Sequence, residues 1–159
     1  MDLSEKATVV FGAVPRPEHF TDFQHCCECA EYDEILQRHD PGNIRFDQLG
    51  PAADPMCFVT DQAFRYYFPG LARLALEGAG DTYCVGQLLF HLISDGLRNN
   101  RWKSFTPRQR RYVVELLEHF VETRPEEIDR CGDTDRIFRA IEIWSDQCRD
   151  LGSVDGTDA

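Results

Sequence analysis

The residues with the clearest capacity for chemistry lie together, in the segment spanning residues 19–39. This segment holds three of the seven cysteines, three of the five histidines and five carboxylates. Zinc binds thiolate and imidazole ligands in tetrahedral geometry, so cysteines and histidines at short spacing indicate a metal site. The segment therefore predicts a small metal or thiol site, with zinc as the candidate ion. Its candidate ligands are His19, His25, Cys26, Cys29 and His39.

We predict that most of these residues lie on one helix. Cys26 and Cys29 form a C-x-x-C pair, and His25 precedes Cys29 by four residues; both spacings place side chains on one helical face. Asp33 continues that face by one turn, and the two outer histidines could fold back from either end. The chain contains no second C-x-x-C or H-x-x-H pair that would complete the coordination from elsewhere.

Three other interpretations of the same residues stay open. A redox-active dithiol would use the helix N-terminus to stabilise a thiolate, although nearby acids oppose this and no βαβ pattern surrounds the motif. Alternatively, the cysteines are core residues, and the histidines and acids form a solvated face. A hydrolytic Cys–His arrangement would lack both a nucleophile elbow and an oxyanion glycine.

Composition indicates one globular domain. The chain has 159 residues, of which 42% are hydrophobic and 28% charged, which is ordinary for a globular protein. No apolar run approaches the ~20 residues that span a bilayer, and the N-terminal residues lack the basic region of a secretory signal. We therefore expect a cytoplasmic protein whose scattered cysteines are small core residues rather than disulfide partners. These cysteines are Cys57, Cys84, Cys131 and Cys148.

The charge distribution restricts the partners. A formal charge of −11 opposes binding to nucleic acid or to anionic membranes and leaves a cationic protein as a candidate partner. Residues 98–111 are the local exception, because three of their arginines fall in the first turn of a predicted helix, where positive charge is disfavoured. Acids of the same chain or an anionic ligand would neutralise this segment. Its positive residues are Arg98, Arg101, Lys103, Arg108, Arg110 and Arg111.

Apolar periodicity predicts a mainly α fold. Capping and proline signals place helices at about residues 3–14, 21–38, 60–77, 81–95, 106–124 and 134–149. The Pro69-Gly70 pair predicts a kink or two abutting helices within the third of these. Residues 44–49 alternate in polarity and allow at most one short strand segment. We expect a single-domain bundle of about five to six helices over residues 1–151, followed by a flexible acidic tail at residues 152–159.

A longer motif supports a family resemblance. Residues 19–34 read H-F-x(5)-C-x-E-C-x-E-x-D-E, and further matching segments are Asp54-Pro55-x-Cys57-Phe58 and Gln87-Leu88-Leu89-Phe90-His91-Leu92. With these residues the chain resembles a family of small bacterial proteins of unknown function over about residues 14–124. The resemblance implies no activity. Tyr32 stands where that family's pattern often has histidine, so no ligand role is carried to this position.

Three functional hypotheses follow. The first is a non-catalytic intracellular bacterial protein with a metal or thiol site in residues 19–39 and a protein-binding role. The second is an immunity-type inhibitor whose acidic surface binds a cationic partner protein. The third is an enzyme that uses Cys26 or Cys29 with His25 or His91. His91 lies at the margin of a buried helix face, where we expect a hydrogen-bonded core histidine.

Overall fold

The structure, a computed structural model, describes residues 1–49, 54–78 and 85–145. The α-helices in these residues are α1 (Leu3–Phe11), α2 (Cys27–Gln37), α3 (Phe46–Leu49), α4 (Asp61–Glu77), α5 (Val85–Ile93), α6 (Asn100–Ser104), α7 (Pro107–Thr123), α8 (Pro125–Arg130) and α9 (Thr134–Trp144). Single turns of 3₁₀ helix occupy Pro55–Cys57 and Gly96–Arg98.

The prediction of a mainly α, single-domain bundle is confirmed. Six of the described helices have nine or more residues, and these correspond to the six predicted from the sequence. The shorter helices α3, α6 and α8 were not predicted. Within the described ranges there is no β-strand, and β pairing is limited to an isolated bridge between Thr21 and Val59.

The core forms where α4 and α7 meet their neighbours. α4 packs against α1, α5 and α6, and α7 packs against α1, α8 and α9. The ring of Phe105 lies 5.4 Å from that of Phe11, 5.3 Å from that of Phe68 and 5.0 Å from that of Trp144. All four rings are buried. Burying one such side chain contributes about 1.5 to 3 kcal/mol, so this aromatic cluster is a major source of stability.

α4 runs without a break through Pro69, so the alternative of two abutting helices is wrong. Gly70 is needed because the loop that follows α2 packs directly on the α4 backbone. A Cβ atom at Gly70 would lie 2.6 Å from the carbonyl oxygen of Pro41 and 2.8 Å from Cγ2 of Ile44. Any larger residue would push this loop away from α4.

The short strand that the alternation at residues 44–49 allowed does not form, because residues 46–49 of this segment are α3. The N–H of Ile44 donates to the carbonyl oxygen of Asp40 at 3.0 Å, and the N–H of Arg45 donates to Oε1 of Gln48 at 2.8 Å. These bonds start a helix, whereas an extended segment would need a partner strand for its backbone groups. In the part of the chain that the structure describes, no such strand is present.

Two of the four scattered cysteines contradict the prediction that they are core residues. Cys57 ends a 3₁₀ turn and Cys131 follows α8, and both are exposed because they lie where the chain turns at the surface. Several further predictions lie outside the described residues: the core positions of Cys84 and Cys148, the first turn of the helix at 81–95, the last helix beyond residue 145, and the tail at 152–159.

Candidate metal and thiol site

The helix that carries the cysteines begins later than the sequence predicts. Cys26 is the N-cap of α2, with extended backbone (φ −160°, ψ 169°), whereas the prediction started this helix near Thr21. Thr21 instead pairs with Val59, and its hydroxyl donates to the carbonyl oxygen of Cys29 at 2.6 Å. Consequently Cys26 and His25 lie in the turn before α2, and only Cys29 lies inside the helix.

Asp33 explains this late start. Its Oδ1 accepts the backbone N–H of Phe20 at 2.5 Å and that of Thr21 at 3.1 Å. Its Oδ2 lies 2.8 Å from Nδ1 of His19 and accepts the amide of Gln37 at 3.3 Å. Burial alone would raise the pKa of Asp33, but these hydrogen bonds outweigh burial and lower it. A charged carboxylate on α2 therefore holds the backbone of Phe20 and Thr21 outside the helix.

The residues before and after α2 are also hydrogen-bonded to α4 and its N-cap. The N–H of Thr60, the N-cap of α4, donates to the carbonyl oxygen of Phe20 at 2.9 Å. The hydroxyl of Tyr67 lies 2.5 Å from the carbonyl oxygen of Leu36 and 2.8 Å from that of His39, at the other end of α2. Both ends of the α2 region are thereby hydrogen-bonded to α4, one of the two longest helices of the core. The position of the N-terminus of α2 is set by the fold.

His25, Cys26 and Cys29 form a group that could bind a metal ion. One ring nitrogen of His25 and the two Sγ atoms all lie within 4.8 Å of one another. The N–H of Cys29 donates to Sγ of Cys26 at 3.4 Å, and Sγ of Cys29 lies 3.9 Å from Nδ1 of His25. Cys29 is 8% exposed, whereas Cys26 and His25 face solvent. One side of the group, at Cys29, is therefore buried against the protein, and the other side, at His25 and Cys26, is accessible to solvent.

The three groups of this cluster alter one another's protonation. The N–H of Cys29 and the side chains of His25 and Cys29 lower the pKa of Cys26 to about 7. The hydrogen bond with Cys26, and then burial, raise the pKa of the Cys29 thiol. The hydrogen bond to Cys26 and the charge of its thiolate raise the pKa of His25. Near neutral pH the cluster therefore holds one readily available thiolate, at Cys26, beside a thiol and a histidine whose protonated form that thiolate favours.

The two outer histidines of the predicted ligand set are not part of this cluster. His19 is directed to Asp33, and its ring stacks on Phe23 with 3.8 Å between centroids. His39 follows the far end of α2, which has eleven residues and is about 16 Å long at 1.5 Å per residue. Among the described residues, the group of potential metal ligands contains neither of them.

The prediction that His91 is a hydrogen-bonded core histidine is confirmed. His91 is 1% exposed, and its Nε2 lies 2.6 Å from Oδ2 of Asp54. The other oxygen of Asp54 accepts the N–H of Met56 at 2.9 Å. A polar cavity of about 290 Å³ borders His91, Cys57 and Arg101. Although Cys57 is exposed, neighbouring atoms partly desolvate its thiol; this desolvation and the charge of Asp54 raise the pKa of Cys57, which is unfavourable for a nucleophile at neutral pH.

Two of the six positive residues at 98–111 lie against aromatic rings. The guanidinium of Arg101 lies 4.2 Å from the ring centroid of Phe64 and donates to the carbonyl oxygen of Met56 at 2.8 Å. The guanidinium of Arg110 lies 3.7 Å from the ring centroid of Trp102. Such contacts stabilise a cation by about 0.5 to 2 kcal/mol. Acids and an anionic ligand were the partners expected for this segment from the sequence, and these contacts with aromatic rings were not predicted.

The sequence also missed two roles within the site. Cysteine is not among the preferred N-cap residues, so nothing marked Cys26 as the cap of α2. Asp33 was assigned to the ligand face of a helix, but it accepts hydrogen bonds from the preceding segment. No local signal marked this second role, because the donors to Asp33 are the backbone N–H groups of residues twelve and thirteen positions earlier in the sequence.

Comparisons with protein-family models, with curated proteins and with solved structures find no match to this chain. Among the described residues, no helix is long and apolar enough to cross a membrane. The geometry of the cluster of His25, Cys26 and Cys29 is therefore the basis for proposing a function.

Proposed function

We propose that the protein binds one zinc ion through His25, Cys26 and Cys29 and that it acts as a non-catalytic, protein-binding module. The observation that carries this proposal is the mutual approach of the three ligand atoms to within 4.8 Å. Adjacent ligands of a tetrahedral zinc ion lie about 3.5 to 4 Å apart. Small side-chain rotations would bring the three atoms to that spacing without moving the backbone of α2.

The chemistry of the donors favours zinc over harder cations. Two thiolates and one imidazole form a borderline-soft ligand set, whereas magnesium and calcium prefer carboxylate and carbonyl oxygens. The lowered pKa of Cys26 makes one thiolate available near neutral pH, and metal binding would displace the proton of Cys29. A reducing compartment such as the cytoplasm would keep both thiols available.

Three protein ligands leave the fourth coordination position of zinc open. Cys26 and His25 are exposed, so this position faces solvent and is accessible to a residue of another protein. The exposed side of α2 carries Glu28, Glu31 and Glu34, and the whole chain has a net charge of −11. A partner with a basic surface would be attracted to this side of the molecule. These features support a protein-binding role, and the family resemblance suggests a bacterial source.

The test of zinc binding compares substitutions of the two ligand cysteines with a substitution of the neighbouring cysteine that is not a ligand. We expect the untagged protein to contain about one zinc per chain and to lose thermal stability when a chelator removes it. Cys26→Ser and Cys29→Ser should each weaken zinc binding by about 100-fold or more in competition with a chromophoric chelator. Cys27→Ser is the matched control and should leave the affinity unchanged, because Cys27 lies outside the cluster.

Two results would contradict the proposal. One is a zinc content below about 0.1 equivalent with no gain in stability when zinc is added. The other is an equal loss of affinity in all three serine variants, which would mean that zinc binds to exposed thiols without the geometry of the cluster.

A further inference from the structure

Cys26 and Cys29 differ sharply in their exposure. Cys26 is exposed at the N-cap of α2, and Cys29 is 8% exposed one turn further along the helix. Their Sγ atoms lie within 4.8 Å of each other, and the N–H of Cys29 points to Sγ of Cys26 at 3.4 Å. An exposed sulfur with a second sulfur directly behind it is the arrangement that thiol–disulfide exchange requires.

We propose that Cys26 and Cys29 form a reversible disulfide by exchange with low-molecular-weight disulfides, and that this reaction releases the zinc ion. The exchange stands on the geometry of the two cysteines alone, whereas the release of zinc rests on the proposed function. Cys26 is the residue that meets the external disulfide, and Cys29 is the residue that resolves the intermediate.

The reaction is balanced without any further reactant. The sulfur of Cys26 loses its proton and attacks one sulfur of the external disulfide, which forms a mixed disulfide and expels the first small thiol. The sulfur of Cys29 then attacks Cys26 in the mixed disulfide, forms the internal bond and expels the second small thiol. Two protein thiols are oxidised, one external disulfide is reduced to two thiols, and the two protons pass to the products.

The geometry allows the internal bond. A disulfide needs about 2 Å between sulfurs and about 4.4 to 6.8 Å between Cα atoms, and residues three apart at a helix start meet the second requirement. The backbone of Cys26 is extended and its side chain lies outside the helix, so rotation about its Cα–Cβ bond can move Sγ towards Cys29. Oxidation would remove both thiolates and leave His25 as the single remaining ligand of the cluster.

Cys27 provides an internal control. It is exposed like Cys26 and is its immediate neighbour, but it begins α2 and lies outside the group formed by His25, Cys26 and Cys29. Exposure alone would make both residues react with an external disulfide. Cys26, unlike Cys27, belongs to the group whose ligand atoms lie within 4.8 Å of one another, so the buried sulfur of Cys29 is placed to complete the exchange at Cys26.

The experiment treats the reduced, metal-free protein with glutathione disulfide and maps the products by peptide mass spectrometry. We expect the wild type to give an internal Cys26–Cys29 disulfide with little retained glutathione. Cys29→Ser should accumulate a stable mixed disulfide at Cys26. Cys26→Ser cannot form the internal bond, and its Cys29 should be oxidised at least about tenfold more slowly than in the wild type. Cys27→Ser should behave as the wild type. Dithiothreitol should restore free thiols in each case.

Other product patterns would overturn the proposal. These are a wild type that retains glutathione on Cys26, a dominant disulfide that involves Cys27, or equal labelling of all exposed cysteines. The zinc-loaded protein is tested separately: release of zinc in step with internal disulfide formation supports the coupling, and retention of zinc after full oxidation contradicts it. A protein that forms the disulfide but never binds zinc would refute the proposed function and leave the exchange intact.

Discussion

Two regions place a histidine beside an ionisable side chain: the cluster at the start of α2 and the His91–Asp54 pair. They differ in burial and in how many of their polar atoms are hydrogen-bonded within the protein. In the pair, His91 is 1% exposed, and both oxygens of Asp54 are engaged within the protein. In the cluster, His25 and Cys26 face solvent, and their ligand atoms lie within 4.8 Å of each other and of Sγ of Cys29.

This difference separates a structural role from a binding role. A buried polar group that lacks a partner costs about 1 to 3 kcal/mol, so the fold must satisfy His91 internally. Exposed thiols and imidazoles carry no such cost and can remain available for a ligand. Substitutions at the pair should therefore reduce stability without affecting zinc, and substitutions in the cluster should have the opposite effect.

The largest expected effect is on the buried pair. His91→Ala should lower the free energy of unfolding by about 3 kcal/mol, because it creates a cavity and leaves the carboxylate of Asp54 without its partner. Chemical denaturation measures this loss, and zinc affinity should stay unchanged. His25→Ala is the matched control, with no measurable loss of stability in the metal-free protein. Similar losses in both variants would remove the distinction between the two regions.

Substitution of Asp33 should affect both stability and zinc binding. Asp33 is buried, and it also positions the segment that leads to the cluster. Asp33→Asn should cost about 2 kcal/mol and weaken zinc binding several-fold. The pKa of Asp33 is lower in the folded state than in the unfolded state. Its charged form therefore stabilises the fold above the unfolded pKa of about 3.9, and this stabilisation disappears as the pH falls through the folded pKa.

Denaturation curves of the wild type and Asp33→Asn should accordingly converge between about pH 4 and the acid limit. A difference that persists unchanged at pH 2 would mean that the charge of Asp33 does not contribute.

Substitution of single histidines should have a smaller effect, on zinc affinity, that identifies which histidine is the ligand. His25→Ala should weaken zinc binding by about tenfold, because it removes one of three ligands. His19→Ala should change the affinity by less than about twofold, since His19 is directed to Asp33 and lies outside the cluster. Competition with a chromophoric chelator measures both values. A larger loss for His19→Ala would restore the ligand set predicted from the sequence.

The smallest effect concerns the reactivity of the thiols. With a pKa of about 7, Cys26 should be alkylated by iodoacetamide about tenfold faster than Cys57 at pH 7 in the metal-free protein. Burial and Asp54 raise the pKa of Cys57, so its rate should continue to increase well above pH 9. Peptide mapping over a pH series measures both rates. Parallel pH profiles for the two cysteines would contradict the electrostatic account of the cluster.

The sequence predicted the helical fold well because its signals are local. Apolar periodicity, the capping box at Thr106 and Gln109, and the N-cap at Thr60 lie within a few residues of the elements that they define. The alternation at residues 44–49 allowed a short strand, but most of this segment is α3. At Pro69 the sequence did not decide between a kink and two abutting helices, because α4 packs against residues far away in the sequence, such as Pro41 at Gly70.

The candidate site was only partly predictable for the same reason. The C-x-x-C spacing and its neighbour His25 are local, and the structure brings these three residues together. The exclusion of His19 follows from its contact with Asp33, fourteen residues later, and no periodic pattern encodes that contact. The late start of α2 has the same cause, because Asp33 holds Phe20 and Thr21 in place.

X-ray absorption spectroscopy at the zinc edge tests the central claim most directly, because it reports the ligands of the bound ion. We predict two sulfur ligands at about 2.3 Å and lighter nitrogen or oxygen ligands at about 2.0 Å for the untagged, zinc-loaded protein. Cys27→Ser should give the same spectrum, and Cys29→Ser should lose one sulfur. A spectrum of the wild-type protein with no sulfur ligands would contradict the assignment of His25, Cys26 and Cys29 as the metal site.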